Sequence, residues 1–290
     1  MQVEDVRKVS VLGAGAMGAG IAQVCAQAGY AVAMRDIEQR FVDAGFKRIR
    51  GPLMKRVEKG KMTADEVEVI VSRIQGTTDV ATAVHGAQIV IEAVPEKMEL
   101  KKEVWTEAEG ACPPEVVFAS NTSSLSITEM AAATKRPDRF VGMHFFNPAP
   151  VMKLVEVIRG SETSKDTVAF AKAFCTKVGK EPVEVREAPG FVVNRLLVPM
   201  MNEAFNLLQE GIASAEDVDK AMKLGTNMPM GPFELADFTG LDIGLDTMET
   251  LFRETGDPKF RPSPLLRQYV RAGRLGRKSG RGVYDYSPPP

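Results

Sequence analysis

The sequence predicts an α/β protein in which residues 1–187 form a doubly wound parallel sheet and residues 188–290 form an all-α C-terminal domain. Two observations support this. In the first part, short β-branched runs alternate with segments of helical spacing, which is typical of parallel strands with helices on both faces. Beyond Pro189-Gly190 the apolar pattern is helical, with further helices near 215–223, 233–238, 243–254 and 265–272.

The chain opens with a strand, a glycine-rich turn and a helix. Residues 9–12 are apolar and β-branched and predict a buried strand. The turn that follows is Gly13-Ala14-Gly15-Ala16-Met17-Gly18. The next strand covers residues 30–34, and Asp36 stands at its end. This order predicts a Rossmann-like dinucleotide site.

Each glycine of this turn has a physical purpose. Gly13 permits a tight turn, Gly15 allows a pyrophosphate to approach the backbone, and Gly18 lets the helix pack closely on the strand. Ala16 and Met17 would begin the helix, whose free N–H groups and partial positive charge favour phosphates. We therefore expect the turn to bind the cofactor.

Asp36 indicates which cofactor is used. Its carboxylate is placed to accept hydrogen bonds from a ribose diol and would repel a 2′-phosphate, so NAD is favoured over NADP. The adjacent Arg35 could soften that preference.

Two further segments allow two interpretations each. Residues 39–73 are helical in pattern and basic between Lys47 and Lys61, which indicates either a solvated face or a surface that receives an anionic substrate group. Residues 120–124, Ser-Asn-Thr-Ser-Ser, follow a predicted strand over 116–119. They would either contact the substrate at the carboxyl edge of the sheet or cap the helix that starts near Thr128.

A histidine and a carboxylate are the candidate catalytic pair. His144 stands at the end of a predicted strand, before a polar, proline-bearing turn. Glu156 lies among apolar residues in the next strand, where a carboxylate is costly unless it is paired. A histidine oriented by a carboxylate beside a nicotinamide site meets the requirement for removing an alcohol proton. His85, the other histidine, is expected to face water.

The segment 191–208 is apolar nearly all round. A helix of this kind must be buried on every side, and a short helical domain can hardly do that alone, so we expect a subunit interface.

Composition excludes several classes of protein. The chain has 37 basic and 38 acidic residues, which disfavours a nucleic-acid binder. Three cysteines without a CxxC pair support neither a disulfide framework nor a metal site and favour a reducing, cytoplasmic location. The first residues do not resemble a signal peptide, and no apolar run approaches a membrane span.

Taken together, the motifs resemble those of the short-chain L-3-hydroxyacyl-CoA dehydrogenase family, of the 3-hydroxybutyryl-CoA dehydrogenase type, over essentially the whole length. The motifs that carry the resemblance are the glycine turn, Ser120-Asn121-Thr122-Ser123-Ser124, His144-Phe145-Phe146-Asn147-Pro148, Lys153-Leu154-Val155-Glu156-Val157, Pro189-Gly190-Phe191-Val192-Val193-Asn194-Arg195, Met230-Gly231-Pro232-Phe233-Glu234 and Leu275-Gly276-Arg277-Lys278-Ser279-Gly280.

The resemblance implies an enzyme that uses NAD to oxidise (S)-3-hydroxyacyl-CoA, chiefly the four-carbon ester, and that forms a homodimer. His144 would be the general base, held by Glu156, while Ser123 and Asn194 would bind the substrate oxygens, with Ser123 also bordering the cofactor. The positions that match the nicotinamide half of the NAD site are Glu96, Lys101, Asn147 and Lys278. Lys59 matches a coenzyme A contact, whereas Pro52 stands where the family usually has a serine that contacts coenzyme A.

Two other functions remain open on the sequence. The same four catalytic-site residues could act on a free hydroxy acid, as in the related gulonate dehydrogenases. A non-enzymatic, crystallin-like NAD-binding protein is the other alternative, against which the His144 and Glu156 pairing argues.

Overall fold

The structure, a computed structural model, describes residues 2–287, so the extreme ends of the two predicted domains, residues 1 and 288–290, lie outside it. The chain divides into two compact units between Ala188 and Pro189. Within the described residues, no helix is long and apolar enough to cross a membrane.

The first unit contains the sheet. Its strands are β1 (Lys8–Leu12), β2 (Ala31–Arg35), β3 (Ile74–Thr77), β4 (Ile89–Glu92), β5 (Val117–Ser120), β6 (Phe140–Phe145), β7 (Leu154–Arg159) and β8 (Glu181–Arg186). Its helices are α1 (Ala16–Gln27), α2 (Gln39–Glu58), α3 (Ala64–Ser72), α4 (Val80–Val84), α5 (Met98–Ala111), α6 (Ile127–Ala132) and α7 (Lys165–Lys177).

The predicted doubly wound sheet is confirmed. The strand order is β3-β2-β1-β4-β5-β6-β7-β8. All neighbours pair parallel except β6 and β7, which pair antiparallel. Residues 146–153 between these two strands are too few for a crossover helix, which explains the reversal. The chain changes direction between β1 and β4, and ligands bind at the carboxyl ends of strands at such a switch point.

The core of this unit lies on both faces of the sheet. All four residues of β4 are buried, as a strand covered on both faces requires. On one face Trp105 of α5 is fully buried, with its ring 4.8 Å from that of Phe118 and 4.9 Å from that of Phe140. This aromatic cluster fixes α5 against β5 and β6.

The second unit is helical, as predicted. Its helices are α8 (Val193–Gln209), α9 (Ala215–Thr226), α10 (Pro232–Thr239), α11 (Leu241–Thr255) and α12 (Pro264–Arg271). Helix α8 packs against α10, α11 and α12 and buries Val198, Met201 and Phe205. The expectation that this helix is buried on every side is not met within the single chain, because Leu196 remains 71% exposed.

Candidate active site

The glycine turn lies between β1 and α1 at the switch point of the sheet. Gly13 has φ +110°, and a Cβ there would lie 2.6 Å from the carbonyl oxygen of Ala93. A Cβ on Gly18 would lie 1.8 Å from the carbonyl oxygen of Gly13. A Cβ on Gly15, by contrast, would have nothing within 4 Å. The backbone is therefore tightly packed at Gly13 and Gly18, whereas the space beside Gly15 is open. A pyrophosphate would approach the turn at Gly15, so these residues fit a dinucleotide.

Asp36 follows β2 and is tied to the same turn. One carboxylate oxygen accepts the N–H of Ala14 at 2.7 Å, and the other accepts the N–H of Ile37 at 2.8 Å. The carboxylate is partly exposed. It therefore stays at the edge of the turn as a fixed acceptor, which suits a ribose diol.

The structure brings His144 and Glu156 together. They stand opposite each other in the antiparallel pair β6–β7, and the His144 Nδ1 atom lies 2.8 Å from Glu156 Oε2. Both residues are buried, at 6% and 1% exposure. The Phe146 ring lies 4.4 Å from the imidazole ring and covers it. Antiparallel pairing supplies the juxtaposition, because directly opposed side chains point to the same face.

The turn over residues 120–124 is wound around a carboxylate. The Oε1 atom of Glu96 accepts the Thr122 hydroxyl at 2.6 Å, the Ser123 N–H at 2.8 Å and the Ser124 N–H at 3.1 Å. The cap of α6 is instead Ser126, whose hydroxyl accepts the Glu129 N–H. Capping therefore belongs to Ser126, which lies two residues beyond the motif.

The turn over residues 120–124 is hydrogen-bonded to β6, the strand that contains His144. The side-chain oxygen of Asn121 accepts the N–H of Phe145 at 2.9 Å, next to His144. The backbone N–H of Asn121 donates to the carbonyl of Glu92 at 2.8 Å. Asn121 thus joins the ends of β4, β5 and β6, a role that the sequence did not reveal.

Glu96 carries a fixed negative charge. Burial alone would raise the pKa of Glu96, but the Lys101 ammonium and the hydrogen bonds from Thr122 and Ser123 hold it below its ordinary value. The Lys101 Nζ atom lies 3.3 Å from Glu96 Oε2. The crevice therefore has an anion on the side of residues 122–124.

Lys101 is buried at the end of β4. It is 1% exposed, and its Nζ atom lies 2.6 Å from Glu92 Oε1 and 3.2 Å from the Val94 carbonyl oxygen. In this structure it contacts protein groups rather than the open crevice. Sequence reasoning missed Glu92, although a carboxylate within the apolar run 87–93 was the signal already used for Glu156.

The remaining predicted residues lie in three places. Asn147 is exposed just after β6. Lys59 is exposed at the end of α2, and Pro52 lies exposed within that helix. Asn194 and Lys278 belong to the second unit, where the Lys278 ammonium is paired with Asp242 at 2.6 Å.

A glycine turn at the switch point, an acid after β2 and a carboxylate-held histidine define the class of nicotinamide-dependent dehydrogenases. Comparison with known proteins gives the particular family. Residues 8–188 match the family described as 3-hydroxyacyl-CoA dehydrogenase, NAD binding domain, and residues 190–286 match its C-terminal domain. The chain belongs to the 3-hydroxyacyl-CoA dehydrogenase family, which confirms the resemblance and the NAD-binding domain.

Individual relatives agree with this. A probable 3-hydroxybutyryl-CoA dehydrogenase of Bacillus subtilis is 52% identical over 97% of this chain and 98% of its own length. A mitochondrial hydroxyacyl-coenzyme A dehydrogenase of Rattus norvegicus is 46% identical over 97% of this chain and 91% of its own. The crystal structure of (S)-3-hydroxybutyryl-CoA dehydrogenase from Ralstonia eutropha is similar with a TM-score of 0.93, at 49% identity, over 98% of this chain and 100% of its own.

Proposed function

We propose that this chain uses NAD to oxidise (S)-3-hydroxyacyl-CoA, chiefly 3-hydroxybutyryl-CoA, to the 3-oxoacyl-CoA, and catalyses the reverse reduction of acetoacetyl-CoA. The observation that carries the proposal is the buried contact of 2.8 Å between His144 and Glu156. The names of the relatives support the substrate class.

The pair would act as follows. Glu156 holds the imidazole through Nδ1, so proton transfer with the substrate uses the other ring nitrogen, Nε2. In the oxidation, His144 takes the proton of the 3-hydroxyl, and the nearby carboxylate stabilises the imidazolium that forms. NAD, when bound, supplies the acceptor for the hydride from the same carbon. In the reduction, His144 returns the proton to the carbonyl oxygen.

Other residues would place the reactants. The glycine turn 13–18, with Ala16 and Met17 at the start of α1, would bind the pyrophosphate, and Asp36 the adenosine ribose. The side chains assigned to the nicotinamide half are Glu96, Lys101, Asn147 and Lys278. Ser123 and Asn194 would hold the substrate oxygens. Lys59 would contact coenzyme A, whereas Pro52 has no hydroxyl group with which to contact it.

The proposal also assigns a separate role to each of the two domains. Residues 1–187 would bind NAD, and residues 188–290 would bind substrate and form a homodimer. The exposed Leu196 on the apolar helix α8 supports the dimer. The three cysteines are free thiols, which fits a reducing cytoplasm.

The test compares the reduction of acetoacetyl-CoA with that of free acetoacetate, both with NADH. We expect turnover of the CoA ester, and a loss of roughly 10²–10⁴-fold when His144 is replaced in His144→Gln. A preference for the free acid would support the gulonate-type alternative and contradict the proposal. Tight NADH binding without turnover of either compound would support the crystallin-like alternative.

A further inference from the structure

A buried carboxylate stands at the end of β4, the strand beside β1. Glu92 is the last residue of β4, in register with Leu12 at the end of β1 and with Ser120 at the end of β5. It is fully buried. Its Oε1 accepts the Lys101 ammonium at 2.6 Å and the Val94 N–H at 2.7 Å, and its Oε2 accepts the Ser120 hydroxyl at 2.6 Å. Glu92 is thus held at the switch point from three sides.

Lys101 links Glu92 to Glu96, because its ammonium contacts both carboxylates. Its Nζ atom reaches Glu92, the Val94 carbonyl and Glu96, and these three oxygens match the three N–H groups of an ammonium. The three charged groups sum to −1. Because Glu92 and Lys101 are buried and the Glu96 side chain is 35% exposed, the excess negative charge lies at Glu96.

Glu96 in turn determines where the serine turn lies. The Thr122 hydroxyl and the N–H groups of Ser123 and Ser124 all converge on its Oε1 atom. A chain of contacts therefore runs from Glu92 through Lys101 and Glu96 to Ser123, which is proposed to bind the substrate.

A purely structural role does not account for this arrangement. Removing two charges from water is expensive, and well-packed apolar side chains of similar size often stabilise a fold at least as well as a buried ion pair. This pair lies at the ligand-binding edge of the sheet, where buried charges are often functional.

We propose that Glu92 and Lys101 are positioning residues: together they fix the Glu96 carboxylate against residues 122–124, and so place Ser123 and keep a negative charge on the nicotinamide side of the crevice. This inference rests on the proposed function. It adds to the cofactor-binding role proposed for Lys101 a positioning role that acts through Glu96.

The charge on Glu96 offers a readout that a merely structural role would not change. The Lys101 ammonium acts on Glu96 and is shared with Glu92. Burial raises the pKa of Glu96 and the Lys101 ammonium lowers it, so removing the ammonium removes one of the causes that hold this pKa down. The Glu96 pKa should then rise, and the carboxyl group should become neutral at a higher pH than in the wild type.

The experiment uses the double variant Glu92→Gln/Lys101→Met, which removes both fully buried charges and leaves Glu96 as the remaining charge of the three. The matched control is Lys102→Met, which breaks the neighbouring surface pair of α5, Lys102 with Glu129 at 2.7 Å. Hydrogen–deuterium exchange of the peptide containing Ser123 and Ser124 is measured without cofactor or substrate. We expect exchange to rise at least tenfold in the double variant and to stay unchanged in the control.

The second measurement is kcat/KM for acetoacetyl-CoA, with NADH affinity alongside, from about pH 5 to about pH 8. The double variant should lose at least tenfold toward the acid end relative to wild type, and adding Glu96→Gln should abolish that pH dependence. Unchanged exchange would overturn the positioning role, and a wild-type pH profile would overturn the charge role. If wild type does not turn over acetoacetyl-CoA, the proposed function fails, whereas exchange and NADH affinity still test the pair.

If the double variant does not fold, Ser120→Ala provides the test. It removes one hydrogen bond to Glu92 and keeps both charges. We expect a smaller rise in exchange of the same peptide, and no rise would refute the inference.

Discussion

Replacing Glu156 by glutamine separates the two things that this residue does for His144. The amide has nearly the same shape, and its oxygen can still accept a hydrogen bond from Nδ1, so the orientation of the ring is retained. The negative charge is lost. The variant therefore measures how much the carboxylate stabilises the imidazolium formed during alcohol oxidation.

The size of the effect follows from the geometry. The two side chains meet at 2.8 Å between Nδ1 and Oε2, which places the centres of the charges about 4 Å apart. At that separation and an effective dielectric constant of about 20, the attraction is about 4 kcal/mol. This is an upper limit, since the imidazolium is only partly formed in the transition state. We expect a loss of about 10²-fold in kcat, or about 2.7 kcal/mol.

The assay measures kcat in both directions, with NADH affinity by fluorescence and the melting temperature as checks on binding and folding. The matched control is Glu184→Gln on the adjacent strand β8, where Glu184 is exposed and paired with Lys172 at 3.1 Å. We expect the control to keep its kcat and both variants to keep their NADH affinity. A folded Glu156→Gln protein with wild-type kcat would refute the reasoning and return Glu156 to a structural role.

Three further predictions follow from single features. Because Asp36 is held by backbone N–H groups and cannot swing away from a 2′-phosphate, NADH should be preferred over NADPH by at least tenfold in kcat/KM, about 1.4 kcal/mol, and equal efficiency would contradict this. Leu196→Arg should convert a dimer into a smaller or aggregated species in analytical ultracentrifugation, and a wild-type protein that is monomeric at micromolar concentration would exclude the interface. Burial raises the pKa of Cys25, raises that of Cys175 to about 12 and raises that of Cys112 to about 11. A thiol reagent at neutral pH should therefore modify only Cys112, and slowly, until denaturant is added, and rapid reaction of two thiols in the native protein would disprove the burial.

Local patterns predicted the parts of the fold that depend on neighbouring residues. The strand, glycine turn and helix over residues 9–28 form a continuous unit whose signals agree, and the structure has β1 and α1 there. The pairing of His144 with Glu156 was also predictable, because a buried carboxylate needs a partner and few candidates were near in sequence.

The missed features depend on contacts between separate elements. Strand β3 is short and contains Gly76, which is required because a Cβ there would collide with Val42 and Phe46 of α2, and no local pattern shows that. The family resemblance singled out Lys101, but no local pattern showed that its ammonium is buried. Its burial against Glu92 depends on how α5 crosses the end of β4, which only the tertiary structure determines.

The aromatic cluster around Trp105 has a spectroscopic consequence. Trp105 is the sole tryptophan of the chain, and it is buried in the first unit against Phe118 and Phe140. Its emission therefore reports the melting of that unit alone, whereas far-ultraviolet circular dichroism records the helices of both units. Coincident transitions would mean that the two units melt together, and an earlier loss of ellipticity would mean that the helical unit melts first. The same indole shares a helix with Lys101, so its emission maximum also checks the packing of α5 in each variant of the buried pair.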